Sequence, residues 1–149
     1  MYSFSKILAL ILLGICSGSI AASLSEEALS RGINETCNSY LGQIEKLNNL
    51  NGLNITFAHP EEPSKLPSLH ISSQKYNNGT STFTSTLTPE GDYCYLSTIT
   101  VTSINNQSCN EIAELKIKSE NLKASKYADG AYTVLTPSDS SYQTILISS

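Results

Sequence analysis

Residues 80–103 read TSTFTSTLTPEGDYCYLSTITVTS, and this stretch decides the fold class. Thr80–Thr88 and Tyr93–Ser103 are rich in β-branched and aromatic residues, which suit a pleated, half-buried surface. Pro89-Glu90-Gly91-Asp92 between them is a turn, so the two runs form a hairpin. Its register follows from placing Thr88 opposite Cys94. Phe83, Leu87, Tyr95, Ile99 and Val101 then share one face. Thr82, Thr84, Thr86, Thr88, Thr98, Thr100 and Thr102 share the other, with Cys94 and Leu96 at its end. Slipping by one residue would scatter apolar and polar side chains over both faces. The expectation is an apolar face on the core and a threonine face outward.

Working outward, Asn77-Asn78-Gly79 is a second turn, with Leu69–Tyr76 before it as a partner strand. Leu53–Ala58 is a further short strand, and His59–Pro67, with three prolines and two acids, is a loop. Upstream, Ser25–Asn48 predicts one amphipathic helix. Leu29, Ile33, Cys37, Tyr40, Leu41, Ile44 and Leu47 recur at steps of three and four, and Asn48, Asn49, Asn51 and Gly52 end it. Downstream, Cys109–Ala124 predicts a shorter helix that Ser108 or Asn110 could cap. Ala131–Thr136 and Tyr142–Ile147 form a last hairpin around Pro137–Ser140. The class is α+β, one domain over residues 22–149. An antiparallel sheet of about six strands, a meander plus a C-terminal hairpin, is covered by the two helices.

The first 21 residues read as a secretory signal peptide. Lys6 supplies a positive charge, Ile7–Ile15 is an apolar run, and Ser19-Ile20-Ala21 is a small-x-small end. The run is shorter than the roughly 20 residues that a membrane span needs, so no stable membrane insertion is expected after cleavage. Cys16 follows Ile15 rather than a small residue, which disfavours lipidation. The expected location is the periplasm or the exterior. An apolar start running into an amphipathic helix is also similar to type IV pilins. Here no Glu sits early in the apolar stretch and no Gly-Phe processing site precedes it.

Export leaves Cys37, Cys94 and Cys109. In an oxidising compartment two should pair. Cys94 and Cys109 are nearest in sequence and form the expected disulfide, with Cys37 a buried thiol on the helix. No C-x-x-C is present, so neither a redox motif nor a zinc knuckle is supported.

The net charge of −4 and the scattered basic residues disfavour nucleic-acid binding, which needs clustered Lys and Arg. No G-x-S-x-G elbow is present. The two histidines, His59 and His70, bound any hydrolase chemistry, and His59 with Glu61 and Glu62 is too local to complete a metal shell. Glu90 and Asp92 are turn acids with no apolar pocket to raise a pKa. Asn-x-Ser/Thr sequons at Asn34, Asn54, Asn78 and Asn106 are what so Asn- and Thr-rich a chain yields by chance. No cofactor is called for.

The functional expectation is a non-enzymatic exported protein that binds another protein, such as an inhibitor, immunity or accessory factor. A small secreted hydrolase using His70 or His59, and a pilin-like envelope component, are the alternatives. The expected binding surfaces are the threonine face (Thr82, Thr84, Thr86, Thr98, Thr100, Thr102) and the proline loop with Glu61 and Glu62.

Overall fold

A computed structural model describes Ala22–Ile147, so the expected signal peptide lies outside the described residues. The order is α1 (Leu24–Ser30), α2 (Glu35–Asn48), β1 (Leu53–Phe57), β2 (Ser68–Tyr76), β3 (Gly79–Glu90), β4 (Tyr93–Ile104), α3 (Cys109–Glu120), β5 (Lys123–Tyr127), β6 (Tyr132–Thr136) and β7 (Thr144–Ile147). The α+β class is as expected. Among the described residues the strands number seven, rather than about six, and form two antiparallel sheets, β1-β2-β3-β4 and β5-β6-β7, rather than one. β5 was not expected: its first two residues, Lys123 and Ala124, close the helix expected over Cys109–Ala124, and Ser125–Tyr127 carry no expected element. Asn121 stops α3 in the left-handed conformation at φ 53°, and the chain extends from there.

The single helix expected over Ser25–Asn48 is two. Gly32 sits at φ +78°, where only glycine is unstrained, and a side chain there would press on Pro63. Asn34 then starts α2 by accepting hydrogen bonds from the Thr36 and Cys37 amides. α1 begins in a capping box between Ser23 and Glu26. Glu45 of α2 adds a cap from a distance. Its carboxylate accepts from the Leu24 amide at 2.6 Å, the Ser25 amide at 3.2 Å and the Ser25 hydroxyl at 2.7 Å. A half-buried carboxylate on helix-start amides that lack partners within the helix is electrostatically favourable. Glu45→Ala is therefore expected to lower stability by about 1–2 kcal/mol in denaturant melts, as loss of a helix cap does. A change below a few tenths would show the contact is idle.

The helices lie on one side of the first sheet. Leu24, Ala28, Ile33, Cys37, Leu41 and Leu50 meet Phe83 and Leu87 there, with Cys94 packed alongside. α3 covers the second sheet, where Ala113, Leu122 and Leu135 form a separate cluster. Among the described residues, no helix or strand of one group touches an element of the other.

The disulfide joins Cys37 to Cys94, with Cα atoms 5.2 Å apart, and Cys109 is the free thiol. This corrects the Cys94–Cys109 expectation. Nearness in sequence is not what brings sulfurs together. The loop from Ile104 carries Cys109 away into α3, while the stripe of α2 aims Cys37 at the start of β4.

The register of the central hairpin also differs by one residue. Pro89 opposes Cys94 and Glu90 opposes Tyr93, leaving Gly91-Asp92 as a two-residue loop in place of a five-residue one. Gly91 at φ +57° supplies the positive φ that a tight two-residue hairpin turn requires. The disulfide agrees with this register, because it holds Cys94 on the helix side. The even-numbered residues of β4 therefore face the helices, and its odd-numbered residues face outward.

Candidate functional site

The one-residue difference rearranges the surface that the sequence singled out. On β3 the expectation holds: Phe83 and Leu87 point in, while Thr82, Thr84 and Thr86 point out. On β4 it is reversed. Thr98, Thr100 and Thr102 lie on the helix side, beyond the cover of the helices and exposed. Tyr95, Ile99 and Val101 join the outer face. No all-threonine face exists.

The ladder pairs define the outer face in rows. Ile55, Ile71, Thr84 and Ile99 line up across all four strands. Phe57, Leu69, Thr86 and Ser97 form the row on one side, and Leu53, Ser73, Thr82 and Val101 the row on the other. No helix covers this face among the described residues. Leu53, Phe57, Tyr95, Ile99 and Val101 are 63, 55, 66, 65 and 64 % exposed. Among the described strand residues, the only charges on the face, Lys75 and Glu90, sit at its two ends. Exposed apolar side chains thus flank the threonine strand on both sides, and clustered exposed apolar surface is where interaction sites occur.

The inner face is the polar one. Thr56, His70 and Ser85 form one buried row across β1–β3. The Thr56 hydroxyl lies 3.0 Å from His70 Nδ1, and the Ser68 hydroxyl lies 2.8 Å from His70 Nε2. A neutral imidazole donates from one nitrogen and accepts at the other, and each hydroxyl can serve either role. Burial holds the His70 pKa down at about 4, so the ring is uncharged at neutral pH. Ser68 and His70 share a face because they are two apart on a strand. That Ser-x-His spacing was the sequence signal for the pair, and Thr56 could not have been found without the ladder.

A serine hydroxyl on a histidine invites comparison with nucleophilic catalysis, which also needs an orienting acid, oxyanion donors and substrate access. Here Thr56 occupies the place where an acid would stand, and His70 and Ser68 are both fully or nearly fully buried. What the arrangement does is tie β1 to β2 beneath the helices. Gln74, on the same face, donates to the Asn49 carbonyl at 2.8 Å and so ties α2 to β2. A cavity of about 100 Å³ lies between Leu50, Ser72, Gln74, Phe83 and Thr100, and the Ser72 hydroxyl has no partner there.

The proline loop joins the ends of β1 and β2, beside the Phe57–Leu69 row. His59 Nδ1 accepts from the Glu61 and Glu62 amides at 3.3 and 3.1 Å, and Glu62 pairs with Lys65 at 3.0 Å. The histidine is thus a local turn cap. Glu61 and Glu62 are exposed on this loop. Among the described residues, no three His, Cys, Asp or Glu side chains converge as a metal site would require, and no helix is long and apolar enough to cross a membrane. Compared with protein-family models, curated proteins and solved structures, the chain matches none.

Proposed function

We propose that this protein is an exported, non-enzymatic binding protein that engages another protein through the outer face of β1–β4. The observation that carries this reading is the three-row face, in which Leu53, Ile55, Phe57, Ile71, Ile99 and Val101 surround a threonine strand with no covering layer. A fold with its own core does not leave such a face bare without cost in solubility. The Cys37–Cys94 disulfide is compatible with export, because such bonds persist in oxidising compartments.

The test is capture of a stoichiometric partner from envelope or culture-supernatant extract. Thr84 stands at the centre of the face and away from the core, so Thr84→Lys places a charge where a partner must exclude water. Binding is expected to fall by more than about tenfold, equivalent to about 1.4 kcal/mol, while the circular dichroism spectrum stays unchanged. Wild-type binding is expected to change little with salt, since the face lacks central charge. Binding that survives Thr84→Lys in the folded protein, or that weakens steeply with salt, would move the site to the Glu61–Glu62 loop.

The second reading is a small hydrolase, for which the Ser68–His70 hydrogen bond is the favouring observation. Turnover of an ester or peptide substrate that Ser68→Ala abolishes would establish it against the first.

A further inference from the structure

We propose that β4 pairs antiparallel with β4 of a second copy of this chain, about a two-fold axis at Thr98, joining two four-stranded sheets into one of eight. β4 stands at the end of the strand order, so one side of its backbone bonds to β3 and the other has no partner strand among the described residues. All twelve of its residues are in register with β3 without a bulge, which leaves a straight, unpaired row of amides and carbonyls on the free side. Edge strands are normally protected by lysine, proline, a bulge or short length. β4 has none of these: no charged residue or proline occurs between Tyr93 and Ile104. Beyond Cys94, where α2 is tied to it, it is also little covered, with Tyr95, Ile99 and Val101 exposed outside and Leu96, Thr98 and Thr100 exposed on the helix side. The other edge, β1, is only five residues long.

The strand that fits this edge is β4 itself. Residues directly opposite in an antiparallel pair share a face, so the axis must pass through a residue rather than between two. An axis at Thr98 sets Tyr95 against Val101 of the second copy, and Val101 against its Tyr95. Ser97 and Ile99 likewise oppose each other, and on the helix side Leu96 opposes Thr100 while Thr98 meets itself. Aromatic and β-branched residues facing each other across strands stabilise a sheet, and symmetry supplies that pair twice. Moving the axis to Ile99 would set both Tyr95 and Val101 against serines. No charge opposes a like charge in this register. A pairing of about eleven residues is about 37 Å long, and a sheet edge about 10 Å thick gives roughly 800 Å² buried in total. That is the size of a reversible interface, so the dimer should form at high micromolar concentration and dissociate on dilution. The pairing uses the backbone edge and does not rest on the face-binding reading.

Sedimentation of the purified, oxidised chain from low to several hundred micromolar tests this. The mass is expected to double across that range. Thr98→Lys, which opposes two ammonium groups at the axis, should return it to the monomer. Thr84→Lys, on the interior strand β3, should leave the dimer intact. With Cys109→Ser to remove the free thiol, Thr98→Cys should give a disulfide-linked dimer on oxidation, because opposed Cα atoms lie about 4.5–5.5 Å apart, within disulfide reach. Thr86→Cys should not. A monomer at every concentration with no Thr98→Cys crosslink, a dimer indifferent to Thr98→Lys, or an assembly larger than two would overturn the proposal. Loss of partner capture in Thr84→Lys with the dimer preserved would separate this surface from the binding face.

Discussion

Removing the Cys37–Cys94 disulfide, by Cys37→Ala with Cys94→Ala, is expected to lower the free energy of unfolding by roughly 4 kcal/mol. The bond closes a loop with a sequence separation of 57, and the chain-entropy model assigns about that much to a loop of this length. Two features of the site favour a full effect. Cys37 is completely buried among Leu24, Ala28, Leu41 and Leu87, so the pair is integral to the main cluster. The bond also ties α2 to β4, the strand with the least other cover. A domain of this size has about 5–15 kcal/mol of stability in total, so the reduced form should lie close to unfolding. Guanidinium melts with and without reductant measure the loss. Non-reduced peptide mapping should recover the Cys37 and Cys94 peptides together and Cys109 alkylated. A Cys109-containing disulfide in the oxidised protein would contradict the fold itself, because register and disulfide support each other.

Stability is expected to fall by about 3 kcal/mol as pH drops from 6.5 to about 4, through His70 alone. The sign follows from the two states. In the unfolded chain the imidazole titrates near its ordinary value of 6.5, and burial holds it at about 4 in the fold. Between those values the unfolded state binds a proton that the folded state refuses, so acid favours unfolding. Above 6.5 both forms are neutral and the contribution is complete. Burial is the reason the proton is refused: the ring is fully buried, the groups on its nitrogens are the neutral hydroxyls of Thr56 at 3.0 Å and Ser68 at 2.8 Å, and neither offsets the cost of a buried cation. Denaturant melts across this range should show a slope that His70→Gln flattens, with carboxylate titration remaining as the background. An equal slope in the variant would mean that the ring is not held neutral by burial.

The elements of this chain were legible because they rest on local chemistry. The Thr80–Ser103 alternation, the turns at Asn77–Gly79 and within Pro89–Asp92, the asparagines that end α2, and Ser108 at the start of α3 all act within a few residues. Local reasoning failed where a break and a continuation compete. Gly32 was visible as a weak point, but the apolar stripe runs straight through it, and it is the positive φ of Gly32 with the cap at Asn34 that divides the helix. β5 was missed because Lys123–Tyr127 carries no apolar alternation, and its pairing with β6 supplies what its side chains do not.

The candidate surface was half legible. Thr82, Thr84 and Thr86 were rightly assigned outward, and which residues share a face within one strand follows from the period of two. How β3 and β4 match was decided by a single residue in the loop between them, and that one residue moved Thr98, Thr100 and Thr102 to the helix side while bringing Tyr95, Ile99 and Val101 out. Binary pattern argued for burying the apolar set, yet the helices were laid on the face of His70, Ser72 and Ser85. The sequence by itself determined the class, the strand order from β1 to β4 and the turn positions, since these are set by propensities acting over short separations. The tertiary structure alone decided which side of the sheet the helices cover, which cysteines meet and which apolar residues remain at the surface. Those outcomes depend on the approach of α2 to β4 across 57 residues, and no local preference encodes an approach of that kind.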